Sequence, residues 1–212
     1  MSVSLEARKN TWDKIWPVLQ KRYKRTATFL DYRNPWELTV AVILSAQTTD
    51  DGVNRITPTL FDRFPKPEDF AKANVLEIEK YIKTLGYYRS KAKYLKQSAQ
   101  ILIDEFDGVV PDDENEIQKL SGVGRKSAVA IISNAYNKNI GIPVDTHVIR
   151  FVKRFNLSNK KDPSKIEQEL LHIIPKKNWK RAGYAIKEYG RKEGKARGYK
   201  PEHDPVVQAL KK

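Results

Sequence analysis

Apolar residues return every three or four positions along almost the whole chain, and this spacing constrains the fold more than any other feature. Trp12, Ile15, Trp16 and Leu19 form one stripe, and Val53, Ile56, Leu60, Phe61 and Phe64 form another. The pattern repeats in Leu95, Ala99, Leu102, Ile103 and Phe106, in Val148, Phe151, Val152 and Phe155, and in Ile166, Leu170, Leu171 and Ile174. Such spacing gathers apolar side chains on one face of a helix. Breaks fall at Pro35, Pro65-Lys66-Pro67, Gly86, Gly108, Pro111, Gly141-Ile142-Pro143, Pro163 and Pro175, where proline and glycine stop helices. Nothing alternates for long enough to predict a strand. Val40-Ala41-Val42-Ile43-Leu44 comes nearest, but its Ala and Leu content favours a buried helix. The prediction is an all-α fold of about ten short helices.

With 212 residues the chain can form one large domain or two small ones around a real core. Forty Lys and Arg face 26 Asp and Glu, a net charge of +14, and a polyanion such as nucleic acid is the partner that this excess suggests. Residues 176–200 hold ten basic side chains and two acidic ones, a net +8. Trp179, Tyr184, Tyr189 and Tyr199 are interleaved among them, which predicts a folded helix with a basic face instead of a disordered tail. There is no cysteine, so thiolate nucleophiles, disulfides and thiolate metal sites are excluded. His147, His172 and His203 are scattered, and no metal is expected. No charged-then-apolar leader and no apolar run of membrane-spanning length is apparent. A soluble intracellular protein of the cytoplasm or nucleoid is therefore expected, a monomer with no membrane partner.

The chemistry concentrates in Leu120-Ser121-Gly122-Val123-Gly124-Arg125-Lys126-Ser127-Ala128 and in Val144-Asp145-Thr146-His147. Asp113 followed by Glu116 predicts a helix start, with that helix running to Gly122 and the next beginning near Gly124. Glycines at 122 and 124 permit positive φ and leave backbone N–H groups unshielded. The following helix points its unpaired N–H groups and positive dipole end at the same spot, which suits a phosphate oxygen. Contacts of this kind grip the nucleic-acid backbone and read no bases. An ordinary helix hairpin with glycine stops is the plainer alternative. Asp145 before Thr146 is likewise a good N-cap whatever else it does.

Together with Leu44-Ser45-Ala46-Gln47-Thr48-Thr49-Asp50 and Gly86-Tyr87-Tyr88-Arg89-Ser90-Lys91-Ala92, these stretches resemble the endonuclease III branch of the helix-hairpin-helix DNA glycosylases. The resemblance runs in order from about residue 10 to 195. It implies two helical domains, a six-helix barrel over residues 26–137 and a second domain from 1–25 plus 138–212, with the hairpin at the cleft between them. It implies that Lys126 is the nucleophile that attacks C1′ of a damaged nucleoside, releases the base and forms a Schiff base that β-eliminates. Attack needs the neutral amine, and the helix N-terminus, neighbouring Arg125 and partial desolvation would all disfavour the ammonium form. Asp145 would stabilise the cation developing at C1′. Gln47 would fill the gap left by the extruded nucleotide, and Tyr87 stands where the family usually has a second, intercalating leucine. Gly122, Val123, Gly124, Arg125 and Ser127 would form the hairpin's grip on double-stranded DNA bearing damaged bases or abasic sites. His147 would lie near the DNA, with structural capping as its alternative, and Lys192 and Lys195 would face DNA.

Two further departures from the family pattern stand out. Ser121 replaces the proline usual before Gly-Val-Gly. Most members also bind a four-iron, four-sulfur cluster through four cysteines, and this chain has none. No cluster or other cofactor is expected, and Tyr199, Val206, Val207 and Leu210 are expected to hold the C-terminal segment by packing. The resemblance points to a bifunctional glycosylase and abasic-site lyase acting on oxidised pyrimidines in base excision repair. The alternatives are a lyase or a uracil/thymine mismatch glycosylase with another lesion preference, and a non-catalytic DNA-binding protein.

Overall fold

A computed structural model describes residues 3–211. Among these the helices are α1 (Leu5–Arg22), α2 (Pro35–Leu44), α3 (Asp50–Arg63), α4 (Pro67–Lys72), α5 (Val75–Ile82) and α6 (Tyr88–Phe106). They continue as α7 (Glu114–Ile117), α8 (Arg125–Ala135), α9 (Thr146–Arg154), α10 (Pro163–Ile173), α11 (Trp179–Lys192) and α12 (Pro205–Leu210). No strand occurs among the described residues, so the fold is all-α. The helices outnumber the sequence prediction because α4, α7 and α12 have six residues or fewer, too short to show a period. None of the described helices is long and apolar enough to cross a membrane.

The chain divides into two compact units, Thr28–Ile140 and Met1–Ala27 with Gly141–Lys212. Each has its own apolar core. Local bonds explain why 28 and 140 go with the first of these. The Thr28 amide donates to Asn134 Oδ1 at 3.0 Å, and Arg125 Nη2 donates to the Ile140 carbonyl at 2.9 Å.

Within residues 28–140, α2 starts at an Asn34 cap that accepts from the Glu37 amide at 2.9 Å, with Pro35 in the first turn. Every residue from Trp36 to Leu44 is buried. A helix covered on all sides shows a continuous apolar run in place of a stripe, which is why Val40–Leu44 imitates a strand. Helix α6 buries Ala92, Leu95, Ala99 and Leu102 along one face. Asp113 caps α7 by accepting from the Asn115 and Glu116 amides at 2.8 and 3.1 Å. That helix stops at Ile117 and does not reach Gly122 as the sequence suggests. Tight three-residue turns follow, with Lys119, Leu120 and Val123 amides bonded to the Glu116, Ile117 and Leu120 carbonyls. They carry the chain round to α8.

The other unit packs α1, α9, α10, α11 and α12 around Trp12, Leu19, Phe151, Ile166, Ile186 and Val206. Val206 is fully buried and Val207 and Leu210 pack beside it, as expected for this segment. A polar knot that the sequence does not announce accompanies them. The Asp204 carboxylate is 1% exposed. It accepts from the phenols of Tyr189 and Tyr199, the latter at 2.6 Å, and caps α12 through the Val206 amide at 2.8 Å. Arg154 donates to the Tyr189 hydroxyl at 2.9 Å and lies 3.4 Å over the Tyr199 ring. Burial, then the bond to Asp204, pushes the Tyr199 phenol up to about 12 and raises Tyr189 as well. A phenol whose pKa is raised by folding stabilises the fold fully below its unfolded value near 10 and loses that contribution as pH rises through the folded value. The denaturant midpoint should therefore fall steeply between about pH 10 and 12. In Tyr199→Phe that fall should be shallower; a superimposable pH profile would show that the knot does not bear on stability.

Candidate nucleic-acid interface and active site

The hairpin between α7 and α8 rests on α6. Val123 is buried beneath it, and Ser98 Oγ, itself fully buried, donates to the Ser121 carbonyl at 2.9 Å. Gly122 has φ +82, and a Cβ there would come within 3.0 Å of the Tyr94 ring. Glycine is thus required twice over, by conformation and by close approach. Gly124 does not take the positive φ that glycine permits: its φ is −99 and its surroundings are open. Its contribution is the absence of a side chain above the first turn of α8, which has no side-chain cap. The cap residue brings no side chain of its own to that helix end, and a helix N-terminus favours an anion.

Lys126 and Ser127 occupy the first turn of α8, Lys126 exposed and Ser127 half-buried. The exposed Lys126 side chain is therefore not desolvated by the protein alone. Arg125, which was to act as a neighbouring charge, is ion-paired with Glu114 and bonded to the Ile140 carbonyl. It ties the start of α8 to α7 and to residue 140.

Gln47 and Tyr87 lie on different loops, yet the structure brings them to one pocket of about 210 Å³. Ile43, Ala46, Ser90, Lys91, Tyr94 and Gly122 complete its lining. Both are exposed and both are left-handed, with φ 53 at Gln47 and φ 60 at Tyr87. The other non-glycine residues with positive φ are Asp107, Asn137 and Asn156, types that adopt this conformation readily. A glutamine and a tyrosine do not, and each costs about 1 kcal/mol or more. Strain of this kind gathers where a side chain must be presented in a set direction.

In the other unit Asp145 caps α9: its Oδ1 accepts from the His147 and Val148 amides at 2.8 and 3.0 Å. His147 is half-buried, with Arg150 Nη2 3.0 Å from its Nδ1. Burial lowers its pKa below the usual imidazole value, so the ring is neutral at pH 7 and Nδ1 can accept from Arg150. The ring packs on Gly190, where a Cβ would lie 2.4 Å from Nδ1. Helices α9 and α11 approach closely because position 190 has no side chain. Lys192 pairs with Glu188 at 2.6 Å, and Lys195 is exposed beyond the end of α11. The basic face expected over 176–200 is helical only to Lys192.

The residues present do not fit an iron–sulfur cluster. The chain has no cysteine, and the C-terminal segment that would carry one is closed around Asp204 by two phenols and a helix end. No group of three or more potential metal-ligating side chains occurs among the described residues. What the sequence missed is the Lys91 contact beneath the Gln47 loop, where Nζ donates to Thr48 Oγ1 at 2.8 Å. Nothing local marks that lysine out; only its burial does.

Residues 40–176 match the model of the HhH-GPD superfamily of base excision DNA repair proteins. The chain is 38% identical over 187 residues to endonuclease III of Synechocystis, covering 88% of this chain and 85% of that one. It is 39% identical over 182 residues to endonuclease III of Bacillus subtilis, covering 84% and 81%. A solved structure of a trapped endonuclease III–DNA covalent intermediate, an estranged-adenine complex, superposes with a TM-score of 0.90 at 35% identity, covering 95% and 94% of the two chains.

Gly122→Ala should cost about 1–3 kcal/mol in thermal or denaturant unfolding, from a left-handed φ and the Tyr94 ring together. Gly124→Ala meets neither obstacle and should fold with native stability. Equal stability of the two variants would disprove the assignment of Gly122 as the constrained turn residue.

Proposed function

Because this chain belongs to the endonuclease III family within the HhH-GPD superfamily of base excision DNA repair proteins, we propose that it excises oxidised pyrimidines from duplex DNA through a Schiff base on Lys126. The chain is a DNA glycosylase and abasic-site lyase, and DNA is its binding partner. The finer assignment rests on one observation above the others: an exposed lysine in the first turn of a helix that follows a glycine hairpin. The similar solved structure holds endonuclease III and DNA in a trapped covalent intermediate, and a lysine amine is one of the nucleophiles able to form such a bond.

In this reading Lys126 Nζ, as the neutral amine, forms a bond to C1′ and the damaged base leaves with the bonding electrons. The sugar ring opens at O4′ as the imine forms. The protonated imine acidifies C2′; loss of that proton expels the 3′ phosphate by β-elimination. The Asp145 carboxylate is assigned to the positive charge that develops at C1′, in addition to its cap on α9. The backbone amides of Gly124, Arg125 and Lys126, with Gly122, Val123 and Ser127 around them, are assigned to a DNA phosphate. Gln47 and Tyr87 are assigned to the duplex, one filling the gap of the extruded nucleotide and the other wedging by stacking. Lys192 and Lys195 add non-specific backbone attraction, while His147 holds α9 against α11 behind Asp145. No cofactor takes part.

Borohydride should trap the wild-type chain on a duplex with a single oxidised pyrimidine or an abasic site. Lys126→Ala should give no adduct; undiminished trapping would remove Lys126 from the mechanism. Asp145→Asn keeps an acceptor for the cap, so stability should change by less than about 0.5 kcal/mol. Base release should nevertheless fall about a hundredfold or more, and full activity in a folded variant would refute the charge role. The purified protein should be colourless, with an unfolding midpoint that iron chelators do not move. A nick without base release on the oxidised duplex would favour the lyase alternative.

A further inference from the structure

Lys91 is used by none of the chemistry above. It lies in the first turn of α6 and is 3% exposed, a rare state for a lysine. Its partner is neutral: Nζ donates to Thr48 Oγ1 at 2.8 Å. Burial lowers the amine's pKa from the usual lysine value. Thr48 Oγ1 in turn donates to the Ala46 carbonyl at 3.4 Å, and the Thr48 amide donates to the Ser45 carbonyl at 3.1 Å. A hydroxyl that accepts from a cation becomes a better donor. The relay from Lys91 through Thr48 to Ala46 therefore spans Gln47, the residue held at φ 53. Lys91 also lines the pocket that Gln47 and Tyr87 share.

We propose that Lys91 is a positioning residue for nucleotide extrusion: through Thr48 it clamps the Ser45–Thr48 turn and keeps Gln47 left-handed at the rim of the pocket shared with Tyr87. The inference rests on the assignment of Gln47 and Tyr87 to the opened duplex. A glutamine freed of the clamp relaxes to right-handed or extended backbone, and its side chain no longer leaves the loop in the same direction. A buried cation facing a neutral partner is unfavourable for folding. Replacing it by a side chain of similar length should leave the protein as stable or more so. Function and stability thus move in different directions, which a purely structural lysine would not produce.

The test compares Lys91→Met, Thr48→Val and Thr48→Ser in the full chain. Backbone carbon chemical shifts of Gln47 report its conformation in the free protein, and 2-aminopurine beside the lesion reports unstacking on binding. Lys91→Met and Thr48→Val should lose the left-handed shifts at Gln47. Both should reduce the unstacking signal and single-turnover base release about tenfold or more, the effect of losing one charge-assisted hydrogen bond. Affinity for undamaged duplex should stay within about twofold in both, since the phosphate contacts are untouched; the melting temperature should not fall in Lys91→Met, whereas Thr48→Val strands the buried ammonium without its acceptor and should lower it. Thr48→Ser keeps the hydroxyl and should behave as wild type. Native Gln47 shifts and native unstacking in Lys91→Met would overturn the proposal. So would a parallel loss of melting temperature, duplex affinity and excision in Lys91→Met. If the wild-type chain neither unstacks nor nicks DNA, the parent reading and the extrusion role fall together, while the Gln47 shifts still decide whether the clamp exists.

Discussion

One face of α6 carries the loops that make up the candidate interface. Tyr87, Lys91, Tyr94 and Ser98 follow one another at helical spacing, so they share a side of the helix and its N-terminal cap. Lys91 holds the Ser45–Thr48 turn, the Tyr94 ring backs Gly122, and Ser98 bonds the Ser121 carbonyl. The adjoining face buries Ala92, Leu95, Ala99 and Leu102 in the core. Two segments distant in sequence are thereby referred to a single rigid rod. A loop fixed to a helix at a buried donor can hold a strained backbone that the loop alone would release. The left-handed Gln47 is the clearest product of that arrangement.

The unit built from both chain ends solves a different problem. Its C-terminal segment is short, and α12 has six residues, too few to be stable without tertiary contacts. A buried carboxylate, two phenols and a guanidinium close this segment against α9 and α11. Polar groups buried in this way help only if all are satisfied. Asp204 meets that condition with four recorded donors, two phenols and two backbone amides. Covalent or metal crosslinks are the usual support for a small, loop-rich segment; here hydrogen bonds and packing fill that place.

Residues with two roles explain much of what was ambiguous. Asp145 is a helix cap by geometry, and its proposed electrostatic role uses the same ionised group. Arg125 reads as part of a basic cluster, yet it is paired with Glu114 and anchors the α8 start. His147 reads as either a DNA contact or a structural residue, and it packs on Gly190. For Arg125 and His147 the contact comes from another helix, which side-chain chemistry alone does not announce.

The sequence by itself determined the helical class, the apolar stripes, the Asp113 and Asp145 caps and the hairpin with its following lysine. These depend on period, capping and turn chemistry, which act over a few residues. It overran α7 because the turns after Ile117 use local bonds that carry no residue signature. It left open which of Gly122 and Gly124 would take a positive φ, because glycine permits that conformation without requiring it. Only the tertiary structure decided that Gln47, Tyr87 and Gly122 meet at one pocket, that Lys91 is buried under a turn 43 positions away, and that Asp204 gathers Tyr189 and Tyr199. Such contacts follow from how the helices pack, and no local pattern encodes which side chain a fold will bury.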